Sequence, residues 1–158
     1  MTVRPEYLSL LKGRNILLIT ANSCGGTMKG RFDDYHFLSL QKPVNARVDL
    51  DGLNVEKSSY LVELLGRQIS GKLKGTLNFS GSPQDALNGT GMMEFTLIDG
   101  SYPLRENFMG LNRLDFKKVD AQLSIKNGIL TVNRLKLAGD KISGSLSGDI
   151  TLNRQDFK

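Results

Sequence analysis

Residues Lys141–Leu152 read KISGSLSGDITL, with Ile142, Gly144, Leu146, Gly148, Ile150 and Leu152 at every other position and Ser143, Ser145, Ser147, Asp149 and Thr151 between them. A two-residue period of this kind belongs to a strand with one dry face. Gly71–Gly81, GKLKGTLNFSG, is written in nearly the same script. Glycine within such strands removes side chains and admits bulges and bends, so the repeated small positions predict a curved, extended antiparallel sheet. The expected fold class is mainly β, and function is to be sought on a surface.

The neighbouring segments extend this pattern. Leu73, Leu77 and Phe79 share one face of Gly71–Ser80, and Met93, Phe95 and Leu97 share one face of Gly89–Ile98. The polar stretch Ser82–Leu87, with Pro83, supplies the turn that pairs them. The final third predicts a meander: Leu114–Ile125 through Val119, Ala121 and Leu123, an Asn127–Gly128 turn, Ile129–Ala138, then Gly139–Asp140 into the last strand. Between Val132 and Leu135 the apolar phase changes, which predicts a bulge near Asn133 or Arg134.

Towards the N-terminus, Asn15–Ala21 and Thr27–Phe32 form a hairpin about Cys24–Gly26, and Val44–Leu50 alternates as a half-buried strand. One or two short helices are expected. Pro5 opens one over Glu6–Lys12, ended by Gly13, and the other runs from about Val55 to Gly66 with Tyr60, Leu61, Leu64 and Leu65 on one stripe. Asp99–Gly100 reads as a turn, and Leu104–Leu111 as a short helical or irregular passage anchored by Phe108 and Met109. No linker interrupts the chain, so residues 1–158 form one domain.

Seventeen glycines and no tryptophan among 158 residues suit a turn-rich β chain. The net charge of +5 is spread from Arg4 to Lys158, without the concentrated stripe that a nucleic-acid partner requires. Cys24 stands alone, so the chain builds neither an internal disulfide nor a thiolate zinc site. Ile16–Ile19, the longest aliphatic run, is far short of the ~20 residues that cross a bilayer as a helix.

Candidate chemistry is sparse. GRQISGK, Gly66–Lys72, carries the glycines and lysine of a phosphate-binding loop, but Leu73 follows where a Ser or Thr should hold magnesium. The segment also runs from helix into strand, the reverse of that motif. His36, the one histidine, has no cysteine cluster or elbow serine to work with. Asp33 and Asp34 point opposite ways on a strand, and Asp49 and Asp51 share an exposed face. Paired carboxylates for acid–base work require convergence from different elements. No catalytic residue, cofactor or metal is expected.

The remaining feature is apolar surface. One face of the sheet carries Leu73, Leu77, Phe79, Met93, Phe95, Leu97, Leu123, Ile125, Leu135, Leu137, Ile142, Leu146 and Ile150. Two readings stand: a closed core beneath the Val55–Gly66 helix and the N-terminal segment, or a partly covered groove that accepts acyl chains or another protein's strand.

Four segments in order carry a family resemblance: RPEYLSLLKGRN, CGGTMKGRF, LVELLGRQISGKLKGTLNFSGSPQDALNGTGMMEFTLIDGSYPL and LDFKKVDAQLSIKNGILTVNRLKLAGDKISGSLSGDITL. Together they resemble the periplasmic region of protein N of the type II (general) secretion pathway, the GspN family. The resemblance implies a periplasmic domain of a bacterial inner-membrane protein, with a β-groove or half-barrel related to the AsmA and TamB type. It implies no catalytic residues. The family's membrane anchor has no counterpart here, so the chain is expected to be a fragment starting after it. The implied function is non-enzymatic: contact with other type II secretion proteins, or, as the alternative, binding or transfer of phospholipid along the groove.

Overall fold

The computed structural model describes residues 1–5, 15–34, 42–59, 68–108 and 110–151. They build a single antiparallel sheet of nine strands, in which each strand pairs with its neighbours in sequence. In order the strands are β1 (Thr2–Pro5), β2 (Ile16–Ser23), β3 (Gly26–Asp33), β4 (Val44–Asn54), β5 (Lys72–Gly81), β6 (Thr90–Phe108), β7 (Leu111–Lys126), β8 (Ile129–Ala138) and β9 (Ser143–Thr151). The sheet does not close into a barrel, as β1 and β9 lie at opposite ends of the strand order. The mainly β, antiparallel expectation holds.

Turn chemistry sets the register. Cys24 and Gly25 adopt φ of 50° and 75° between the paired residues Ser23 and Gly26, and Asn127 and Gly128 adopt 51° and 77° between Lys126 and Ile129. Both are two-residue turns with positive φ at each central position, whose twist matches that of the flanking strands. The β5–β6 hairpin pairs Lys72 with Ile98 through to Ser80 with Thr90, and a 3-10 segment, Pro83–Asn88, lies in its turn.

The bulge expected near Asn133 is present. Gln122 pairs with Arg134 and Leu123 with Val132, which leaves Asn133 as the extra residue of β8, and the side-chain amide of Asn133 donates to Ser124 Oγ at 3.1 Å. A second bulge sets Asp51 and Gly52 of β4 against Lys74 of β5, with Gly52 at φ 69°. Each extra residue bends its strand and restores the apolar phase beyond it.

One expectation is corrected and another is decided between its two alternatives. Asp99–Gly100 does not reverse the chain: Asp99 takes φ 50°, yet β6 continues, with Gly100 paired to Phe116 and Pro103 to Arg113. The Asp-Gly signal here makes a kink inside a 19-residue strand. Beyond that kink Ser70 replaces β5 as the neighbour of β6, its N–H donating to Ser101 O at 3.0 Å and its Oγ accepting from Ser101 N–H at 2.9 Å. Residues Leu104–Asn107 are not helical but lie within β6, where they oppose Asn112 alone between the Pro103–Arg113 and Phe108–Leu111 pairs. The pairing there is irregular, as one of the two expectations for this passage had it.

Of the helix expected from about Val55, the described start is a 3-10 turn, Val55–Lys57, with Val55 buried at 4% exposure. Residues 60–67 lie outside the described residues, as does the helix expected over Glu6–Lys12. Among the described residues the buried apolar side chains are Ile16, Leu17, Val44, Val55 and Phe116. No large side chain among the described residues is fully buried.

Candidate functional site: the apolar face of the sheet

In an antiparallel pair, directly opposed residues present their side chains on the same side of the sheet. The register therefore assembles one face as a set of cross-strand rows. Leu53, Leu73, Leu97, Val119, Leu137 and Gly144 form one row, and Leu50, Gly75, Phe95, Ala121, Leu135 and Leu146 the next. Val48, Leu77, Met93, Leu123, Val132 and Gly148 make a third, and Ala46, Phe79, Gly91, Ile125 and Leu130 a fourth. Leu130 pairs in turn with Ile150. Through β3 and β2 the rows continue into Met28, Gly30 and Phe32, then Ala21, Ile19 and Leu17.

Thus the structure brings Leu73, Leu77, Phe79, Met93, Phe95, Leu97, Leu123, Leu137 and Leu146 onto one surface. Ile142 stands just before β9 rather than in it; it lines a small cavity of about 190 Å³ with Leu111, Leu114, Phe116 and Leu137, beside the Lys117–Asp140 ion pair. That volume is below what a drug-sized ligand occupies. The β2–β4 part of the face was missing from the residues expected there, although the alternation of Val44–Leu50 already marked it.

None of these predicted face residues is buried, and Leu146 is 62% exposed. The glycines explain the shallow relief. A Cβ on Gly75 would meet the Phe95 ring at 2.5 Å, one on Gly81 the Phe79 ring at 2.8 Å and one on Gly30 the Phe32 ring at 2.8 Å. Each ring lies over a residue that has no side chain, which covers backbone that glycine leaves bare.

The opposite face is charged and internally paired. Arg31 bridges Asp33 at 3.0 Å, Arg47 bridges Asp49 at 3.2 Å, Lys118 bridges Asp120 at 2.8 Å, and Lys74 reaches Asp51 across the strands at 3.0 Å. Hydrogen bonds from Arg47 and from Thr76, at 2.9 Å, hold the Asp49 carboxyl below its ordinary value. Lys118 and Thr96, the latter at 2.8 Å, do the same for Asp120. Asp140 raises the Lys117 ammonium. Asp33, Asp49 and Asp51 are thus each committed to a separate cation and do not converge on a shared proton. Lys72 opens β5 and pairs with Ile98 and Asn54, while His36 lies outside the described residues.

Among the described residues no group of three His, Cys, Asp or Glu side chains is placed to hold a metal ion. No described helix is long and apolar enough to cross a membrane. No protein-family model matches the chain, and neither a curated protein nor a solved structure does.

Proposed function

We propose that the chain is a non-enzymatic component of a type II secretion apparatus, acting in the periplasm through contacts between its sheet and other envelope proteins. The observation that carries this reading is the apolar face, which runs across the sheet with its predicted members unburied, opposite a face where Arg31, Arg47, Lys74 and Lys118 are paired with aspartates. A surface of that extent and exposure serves a partner rather than a reaction. The resemblance to the GspN family supplies the setting, and its two longest segments fall on β5–β6 and on β7–β9. The reading includes a membrane anchor outside this chain and no nucleic-acid partner.

Photo-crosslinking residues placed at Leu77 and Met93, on the apolar face, in the bacterial envelope test it. Adducts with other proteins of the secretion apparatus are expected. Recovery of unrelated proteins alone refutes the proposal.

The unbroken apolar rows favour a second reading, in which acyl chains of phospholipid occupy the same face. Phe95 and Leu146 belong to one row, and a carboxylate there sets a charge in the path of an alkyl chain. Native mass spectrometry of the purified chain should find bound phospholipid that is lost in Phe95→Glu and Leu146→Glu while the β circular dichroism persists. Lipid-free wild-type protein rules this second reading out.

A further inference from the structure

The two free edges of the sheet are built differently. β1 spans only four residues and carries Arg4 and Pro5, devices that blunt an edge against pairing. β9 spans nine residues, with no proline and Asp149 as its one charge, and its pairing shift with β8 falls between Val132 and Leu135, where the extra residue belongs to β8. An edge of that length with no such guard is a template for another strand.

We infer that the occupant of the β9 edge is a second copy of this chain, joined antiparallel about a two-fold axis at Ser147. That register overlaps β9 with itself over its full length. It sets Leu146 opposite Gly148 of the second copy, so the most exposed leucine on the apolar face lies beside an empty position; nothing lies within 4 Å of where a Cβ on Gly148 would stand.

Charge agrees with this register. Asp149 makes no ion pair among the described residues, and its own row offers Thr131 and Ser124. Lys136 likewise has no ion partner there; the Asp120 it faces across the strands is already held by Lys118 of its own strand and by Thr96 of β6. In the dimer Asp149 stands opposite the second copy's Ser145, and the residue directly behind that serine is the second copy's Lys136. Two strand spacings, roughly 10 Å, separate those backbones. A lysine and an aspartate reaching over a serine close that distance, and the symmetry makes the pair twice. Antiparallel pairing also keeps both apolar faces on one side of the joined sheet, so this inference stands whatever occupies that face.

Sedimentation equilibrium of the whole chain should give a mass twice 17.4 kDa at high concentration. Ser147→Cys in a Cys24→Ser background should form a disulfide dimer on mild oxidation, as position 147 meets itself, whereas Ser143→Cys, which meets position 151, should not. Asp149→Lys should weaken the dimer about tenfold by opposing Lys136, and adding Lys136→Asp should restore it. The inference is overturned if the chain is monomeric at every concentration, or if Ser143→Cys links as readily as Ser147→Cys.

Discussion

Phe95 lies against Gly75 so closely that a Cβ there would meet its ring at 2.5 Å and the Phe95 Cα at 3.1 Å. Gly75→Val therefore has to displace both the ring and the β6 backbone, since the Glu94 carbonyl oxygen lies nearer still, and overpacking of this kind falls at the upper end of about 1–3 kcal/mol. Chemical denaturation should show a lower midpoint at unchanged slope. The carboxylates on the other face make a second, pH-dependent prediction. Folded Asp49 and Asp120 titrate below the ordinary value of 3.8, so each stabilises the fold above about pH 4 and loses that contribution as pH falls through its folded value. Their side chains are 48% and 37% exposed, and water screens both pairs, so the effect is modest. Asp49→Asn and Asp120→Asn should each flatten the acid limb of a stability–pH curve, and an unchanged limb would contradict this assignment.

At the scale of the element, the Asn127–Gly128 turn and the Asn133 bulge govern where β8 sits. Both turn residues have positive φ, and an alanine held in that region costs about 1–2 kcal/mol. Asn127→Ala/Gly128→Ala should lower the midpoint of thermal unfolding accordingly. Deleting Asn133 should be tolerated better, because it removes the one extra residue and leaves Val132 and Leu135 two positions apart on the apolar face, at the cost of the bend and the Ser124 hydrogen bond.

These features were legible in the chain itself, because a two-residue Asn-Gly connection and a switch of apolar phase are local signals with one physical meaning each. Asp99–Gly100 misled for an equally physical reason. The same dipeptide that reverses a chain also kinks a long strand, and what decides between them is the neighbour, here Ser70, distant in sequence. The face was half legible. The alternating strands β5–β9 disclosed their members, whereas β2, where Ile16, Leu17 and Leu18 run together without alternation, hid its own.

For the whole molecule, the exposure of the apolar face predicts tolerance. Phe95→Glu removes a side chain that is only partly covered, so it should cost about 1–2 kcal/mol, less than truncation in a closed core. Equilibrium unfolding checks this, and collapse of the fold would mean that the face is structurally indispensable. The strand order has a different consequence. Every strand leans only on the strands before and after it in the chain, so the molecule is a ribbon of linked hairpins, and its cohesion is a chain of nearest-neighbour bonds. Such a ribbon frays from its ends. At concentrations low enough to keep the chain monomeric, amide hydrogens of β1 and β9 should exchange first and those of β5–β7 last, a graded protection profile in place of a single cooperative step, whereas dimer formation should protect β9.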